Sequence, residues 1–190
     1  TGTLIANSDW TSGGTNSWAS DDGWYDVPLP FQFPFYGFAM ESTLSIGTNG
    51  YLTFGTGHFP YGNSYELPHP QTLGGVNIDG MLAVMWTDIN PSAAADGCGV
   101  WFQVSDDVAI VSYVCVPYWG DATTNTFQVL LYPNGVIHMN YQDLNQGGGG
   151  HGIPSIGVET AEGDVGISLA YGWDNVPADG TALEIVPDQN

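Results

Sequence analysis

Cys98 and Cys115 stand equally far on either side of Asp106-Asp107, and the residues between them are mostly strand formers. If Asp106 and Asp107 make a two-residue turn, every residue before it pairs with the one equally distant after it. Cys98 then faces Cys115. The same register gathers Cys98, Val100, Phe102 and Val104 on one face with Cys115, Tyr113, Val111 and Ala109, a face almost wholly apolar. Register is strongly specified where one face is buried, so pattern and turn support each other. A cross-strand disulfide is expected, and with it an oxidising compartment. The alternative is two free buried thiols.

Two further hairpins carry Asn-Gly, a strong short-range turn signal. One runs from Leu44 through Asn49-Gly50 to Phe54, the other from Thr126 through Asn134-Gly135 to Tyr141. With Asn134-Gly135 as a two-residue turn, His138 falls opposite Leu131. Other strand candidates are Thr3–Ala6, Leu29–Phe35, Met81–Trp86, Ser155–Glu159, Gly166–Tyr171 and Leu183–Val186. Asp9–Gly23 and Asn145–Gly152 read as loops, and no stretch has the length and period of a helix. Ten or eleven short strands with frequent turn signals imply an all-β fold, a two-sheet antiparallel β-sandwich. Composition agrees: 43% of residues are apolar, Gly (27) and Pro (12) are abundant, and 7 Trp, 10 Tyr and 8 Phe supply core material. Residues 1–190 are expected to form a single domain with an extended N-terminal segment of about 25 residues.

The chain has 20 Asp and Glu and no Lys or Arg, a formal charge of −20. Charged residues are 11% of the chain, less than half the usual ~25%, so what is anomalous is the missing cations. Side-chain salt bridges can involve only a protonated His or the N-terminal amine. Nucleic acid is excluded as a partner, because nothing neutralises phosphate. Trypsin-like proteases find no cleavage site. No apolar run is long enough for a membrane helix, so no membrane insertion is expected. A start at Thr1 rather than Met fits removal of a secretory leader.

Leu29-Pro-Phe-Gln-Phe-Pro-Phe-Tyr-Gly37, followed by Ile46-Gly-Thr-Asn-Gly-Tyr-Leu-Thr-Phe-Gly55, resembles the opening of nidogen-like extracellular β domains. The order continues with Trp86-Thr-Asp-Ile-Asn-Pro-Ser92 and the hairpin from Thr126 to Tyr141. These blocks span roughly residues 21 to 171. The resemblance implies an extracellular adhesive, matrix or accessory module of the kind found in secreted bacterial and archaeal multidomain proteins. It carries over no catalytic residues.

Uncompensated carboxylates invite divalent cations. Asp21, Asp22 and Asp26 form one group, and Asp88, Asn90 and Asp96 another, around a Pro-Ser-Ala loop. Oxygen-only donors on irregular loops suit Ca²⁺ rather than a transition metal. Their spacing is not that of an EF-hand, and the competing reading is that these residues cap turns through their own backbone. His58, His69, His138 and His151 show no zinc spacing. There is no Gly-x-Ser-x-Gly elbow, and the five Glu sit in no recognisable motif, although two carboxylates meeting in space could still serve a hydrolase. Trp10, Trp18, Trp24 and Tyr25 could stack on sugars, bury against a neighbouring subunit, or cover one end of their own core. The one Asn-x-Ser triplet, Asn90-Pro91-Ser92, is spoiled by its proline.

Together these features favour a secreted or cell-surface, non-catalytic structural or adhesive protein that self-associates into a protease-resistant filament or surface layer. Subunits could be joined by a terminal strand (Thr3–Ala6 or Ala182–Val186) laid on a neighbour's sheet edge. A secreted carbohydrate-binding or accessory module, with glycans as partners, is the first alternative. An acid-active secreted hydrolase using paired carboxylates is the second.

Overall fold

A computed structural model describes residues 2–11, 19–36, 39–54, 66–68, 72–73, 76–77, 80–147 and 152–188. The strands are β1 (Thr3–Leu4), β2 (Trp24–Phe35), β3 (Ala39–Gly47), β4 (Tyr51–Phe54), β5 (Thr72–Leu73), β6 (Val76–Asn77) and β7 (Met81–Trp86). They continue with β8 (Gly99–Val104), β9 (Ala109–Pro117), β10 (Thr124–Leu131), β11 (Ile137–Asp143), β12 (Ser155–Glu159), β13 (Gly166–Tyr171) and β14 (Thr181–Ile185). One sheet has the order β1-β8-β9-β10-β11-β14, the other β13-β12-β7-β4-β3-β2, and among the described residues β5 pairs only with β6. All pairings are antiparallel, so the chain is a β-sandwich of two six-stranded sheets.

Alternation builds the core. In β10, Asn125, Phe127, Val129 and Leu131 point inward, while the residues between them are half-buried. They meet Val111 and Tyr113 of β9 and Met139 and Tyr141 of β11, facing Val27, Phe33, Leu44, Ile46, Leu52, Leu82 and Val84 from the other sheet. The Tyr113 and Phe127 rings stack at 4.6 Å. β7 is buried on both faces, because Leu67 packs with Tyr51, Met81, Ala83 and Trp86 in a second apolar cluster. Two phenols cross the core: Tyr113 donates to the Gly47 carbonyl, and Tyr141 to the Val84 carbonyl at 2.7 Å. A buried tyrosine oxygen needs such a partner, and here the partner is the backbone of the opposite sheet.

The β8–β9 hairpin has the register read from the sequence: Val100 faces Tyr113, Phe102 faces Val111, and Val104 faces Ala109. At its open end Cys98 and Cys115 are joined by a disulfide, with Cα atoms 5.3 Å apart. The Asn-Gly hairpins differ by one residue from a two-residue turn. His138 pairs with Leu130, and Ile137 takes the place opposite Leu131. The loop is Pro133-Asn134-Gly135, closed by Tyr132 N–H to Val136 O at 3.0 Å, with Gly135 at φ 84°. A proline ahead of Asn-Gly favours a type I turn ending in a left-handed glycine, the three-residue hairpin. Thr48-Asn49-Gly50 does the same, with Gly50 at φ 77°.

β2 is a sheet edge, and its composition explains why. Pro28, Pro30 and Pro34 cannot donate to a ladder and are tolerated only at edges or bulges. Its pairing with β3 is broken between Pro28 and Phe33. Both terminal strands are used within the chain, β1 on β8 and β14 on β11.

Candidate metal centre

Three loops converge where β2 begins, where β3 turns into β4, and where β7 ends. The β3–β4 loop organises the other two. Thr48 N–H donates to Gly23 O at 3.0 Å; its Oγ1 accepts from Gly23 N–H at 3.0 Å and donates to Gly23 O at 3.2 Å. Asn49 is fully buried. Its Nδ2 donates to Asp22 Oδ1 at 3.1 Å and to Asp21 O at 3.5 Å, while its Oδ1 accepts from Ile89 N–H at 3.0 Å. The Asn49 carbonyl accepts from Thr87 N–H at 3.2 Å. One asparagine thus fastens the segment before β2 to the segment after β7.

That closure gathers three carboxylates. Asp21, Asp22 and Asp88 each present an oxygen, all within 4.8 Å of one another. Asp21 is 3% exposed, and its Oδ1 has no hydrogen-bond partner among the described residues. Asp22 and Asp88 are half-buried, so the cluster reaches solvent through them. Burial, then the charges of Asp22 and Asp88, push the Asp21 carboxyl up to about 7. Burial also raises Asp22, and its hydrogen bond from Asn49 works against that rise. Such a cluster is ordinarily balanced by Lys or Arg, and this chain contains neither. Either a proton or an external cation must relieve the repulsion. Three carboxylate oxygens, with no sulfur or imidazole beside them among the described residues, form a donor set for a hard cation.

The two acidic groups read from the sequence therefore contribute unequally. Asp21 and Asp22 from the first join Asp88 from the second. Asp26 lies on β2 and accepts from the Ser45 hydroxyl across the ladder. Asn90 caps the short 3-10 turn Pro91–Ala93, accepting from Ser92 N–H at 2.8 Å. Asp96 is exposed in the loop leading to Cys98. Asn90 thus serves the turn chemistry that was the competing reading. Asn49 was read only as a turn residue, and nothing in the hairpin, which also carries Ser45, Thr48 and Thr53, sets its side chain apart in the sequence.

His138 sits on the surface 2.7 Å from Glu184, while His58, His69 and His151 lie outside the described residues. Trp10 is buried in its own core and meets Tyr25 edge-on at 6.5 Å; Tyr25 in turn packs on Phe102. Trp24 is half-buried, and Trp18 lies outside the described residues. Trp10 and Tyr25 thus cover one end of the sandwich.

No curated protein and no solved structure matched the chain in comparison. The family model described as NIDO related matches residues 3–184, which takes in both sheets, the disulfide hairpin and all three loops of the acidic cluster. With a nidogen-like motif order in its sequence and a two-sheet antiparallel sandwich as its fold, the chain belongs to the NIDO-related family, a nidogen-related domain.

Proposed function

We propose that this chain is a non-catalytic extracellular structural protein that polymerises head to tail through its sheet edges. The observation that carries the reading is β13. A sheet edge offers unpaired backbone groups, and proteins guard such edges with prolines, charges or very short strands. β2 carries three prolines, β1 has two residues, and β14 carries Glu184 and is followed by Pro187. β13, Gly-Ile-Ser-Leu-Ala-Tyr, has neither charge nor proline, and Val165, Ile167 and Leu169 beside and along it are exposed.

Of the other described edges, β14 is the least obstructed, with five residues and one charge, whereas β2 carries three prolines and β1 has two residues. A β13-to-β14 contact joins two different surfaces, and a contact of that kind propagates rather than closing. This replaces donation of a terminal strand, since β1 and β14 already pair within the chain. The absence of tryptic sites and the disulfide suit material that persists outside the cell.

Electron microscopy and light scattering of the purified chain, with calcium present, test the reading. Polymers or concentration-dependent oligomers are expected. Ile167→Lys with Leu169→Lys should leave a monomer of unchanged melting temperature. A wild-type chain that stays monomeric at high concentration overturns the proposal, as does a double variant that assembles normally.

A further inference from the structure

We infer that Asp21, Asp22 and Asp88 bind one Ca²⁺ ion, which acts as the missing counter-charge and locks the segment before β2 onto the end of β7. Two independent observations meet here. The first is the cluster, three carboxylate oxygens within 4.8 Å in a chain with no Lys or Arg to neutralise them. The second is Asp21, whose side chain is almost completely buried in the cluster with Oδ1 lacking a partner among the described residues. A buried carboxylate oxygen without a donor is costly unless something positive meets it. Asn49 supplies one N–H to Asp22 and cannot neutralise three charges.

Calcium fits better than its competitors. Its coordination shell of 6–8 oxygens tolerates irregular loops, whereas Mg²⁺ demands near-octahedral geometry and holds its water. Transition metals prefer nitrogen and sulfur donors, and the cluster holds none among the described residues. Three side chains leave room for water and backbone carbonyls to complete the shell, and the half-buried Asp22 and Asp88 provide the way in. The ion would tie together the same loops that Asn49 already joins, so occupancy should be felt as rigidity of that end of the sandwich. Nothing in this inference depends on edge pairing.

The test is calorimetric titration of Ca²⁺ into the EDTA-treated chain carrying Ile167→Lys and Leu169→Lys, so that assembly plays no part. One equivalent is expected to bind, more tightly than Mg²⁺, with Kd of about 10⁻⁴ M or lower and a rise in melting temperature. Asp21→Asn and Asp88→Asn should each weaken binding at least tenfold. In EDTA both should melt at or above their parent, because neutralising one of three crowded carboxylates removes repulsion. A merely structural role would lower the melting temperature in EDTA instead. No uptake at millimolar Ca²⁺, equal or tighter binding of Mg²⁺, or an Asp21→Asn chain that binds like its parent would each overturn the assignment.

Discussion

Removing the sulfur bridge should cost about 3 kcal/mol, and part of the loss should be recoverable at a single residue. The disulfide closes a loop with a sequence separation of 17, and restricting an unfolded chain by a loop of that length stabilises the folded state by about 3 kcal/mol. Cys115 also lies at φ 42°, in the left-handed region that an L-residue with a Cβ disfavours. A bulge sets that conformation. The β9–β10 register shifts between Asn125 and Phe127, and Cys115 N–H donates to Thr126 Oγ1 at 3.0 Å. In the double variant Cys98→Ala/Cys115→Ala the strain persists without the cross-link. In Cys98→Ala/Cys115→Gly it is relieved, which should regain about 0.5–1 kcal/mol after the extra backbone entropy of glycine. Urea unfolding followed by tryptophan fluorescence reads both numbers, and a chain of this size should lose about 6–12 °C in melting temperature with the double alanine change. Reducing agent should bring the wild type close to the variants and leave the variants unmoved. The reasoning fails if the alanine pair costs under about 1 kcal/mol, or if the glycine version is the less stable of the two.

Gly50→Ala should destabilise by about 3 kcal/mol or more, since φ is 77° and a Cβ would lie 2.1 Å from the Met85 carbonyl oxygen; a near-neutral urea midpoint would contradict that geometry. Asn49→Asp keeps the acceptor for Ile89 N–H but sets a fourth carboxylate against Asp22, and should cost about 2–4 kcal/mol in EDTA; equal stability with the wild type would remove Asn49 from its organising role. Tyr141→Phe strands the Val84 carbonyl and should cost about 1–2 kcal/mol with an unchanged circular dichroism spectrum; an unchanged unfolding midpoint would mean the phenol ties nothing. Alkali should unfold the chain cooperatively. Burial pushes the Tyr36 phenol up from 10 to about 12, helped by Glu159, and burial raises Tyr51, Tyr113, Tyr118 and Tyr141 as well. The unfolded chain therefore releases these protons first, so their stabilisation is complete below pH 10 and lost as pH climbs through the folded values. Tyrosinate absorbance and loss of structure should rise together, and smooth titration near pH 10 with the fold intact would refute this.

The strands whose side chains alternate or run wholly apolar were legible to the residue: Met81–Trp86, Ser155–Glu159 and Gly166–Tyr171 have the bounds read from sequence. The Asp106-Asp107 hairpin was legible because its turn and its apolar face demand the same register. The Asn-Gly loops were misread by one position because Pro133 and Thr48 join the turn, and a two-residue rule does not look one residue upstream. β2 begins at Trp24 rather than Leu29; Asp26, Val27, Pro28 and Leu29 already alternate exposed and buried, but Asp26 and Pro28 are residue types depleted in strands. Composition flagged the site's acids, but grouping by nearness in sequence put Asp21 with Asp26 and Asp88 with Asp96. What joins Asp21 to Asp88 is closure of distant loops around Asn49, and Asn-Gly advertises a turn so loudly that its side chain goes unread.

The two phenols that cross the core have a consequence for inheritance. Tyr113 and Tyr141 donate to main-chain carbonyls, and every amino acid supplies one of those. Val84 can therefore change, within steric limits, without breaking the link, whereas the tyrosines cannot; Gly47 is held for another reason, since a Cβ there would lie 2.3 Å from the buried Tyr51 ring. A neutral tie of this kind also feels little of the ionic atmosphere that screens paired charges. Salt should therefore leave both ties in place, in brine and in fresh water alike.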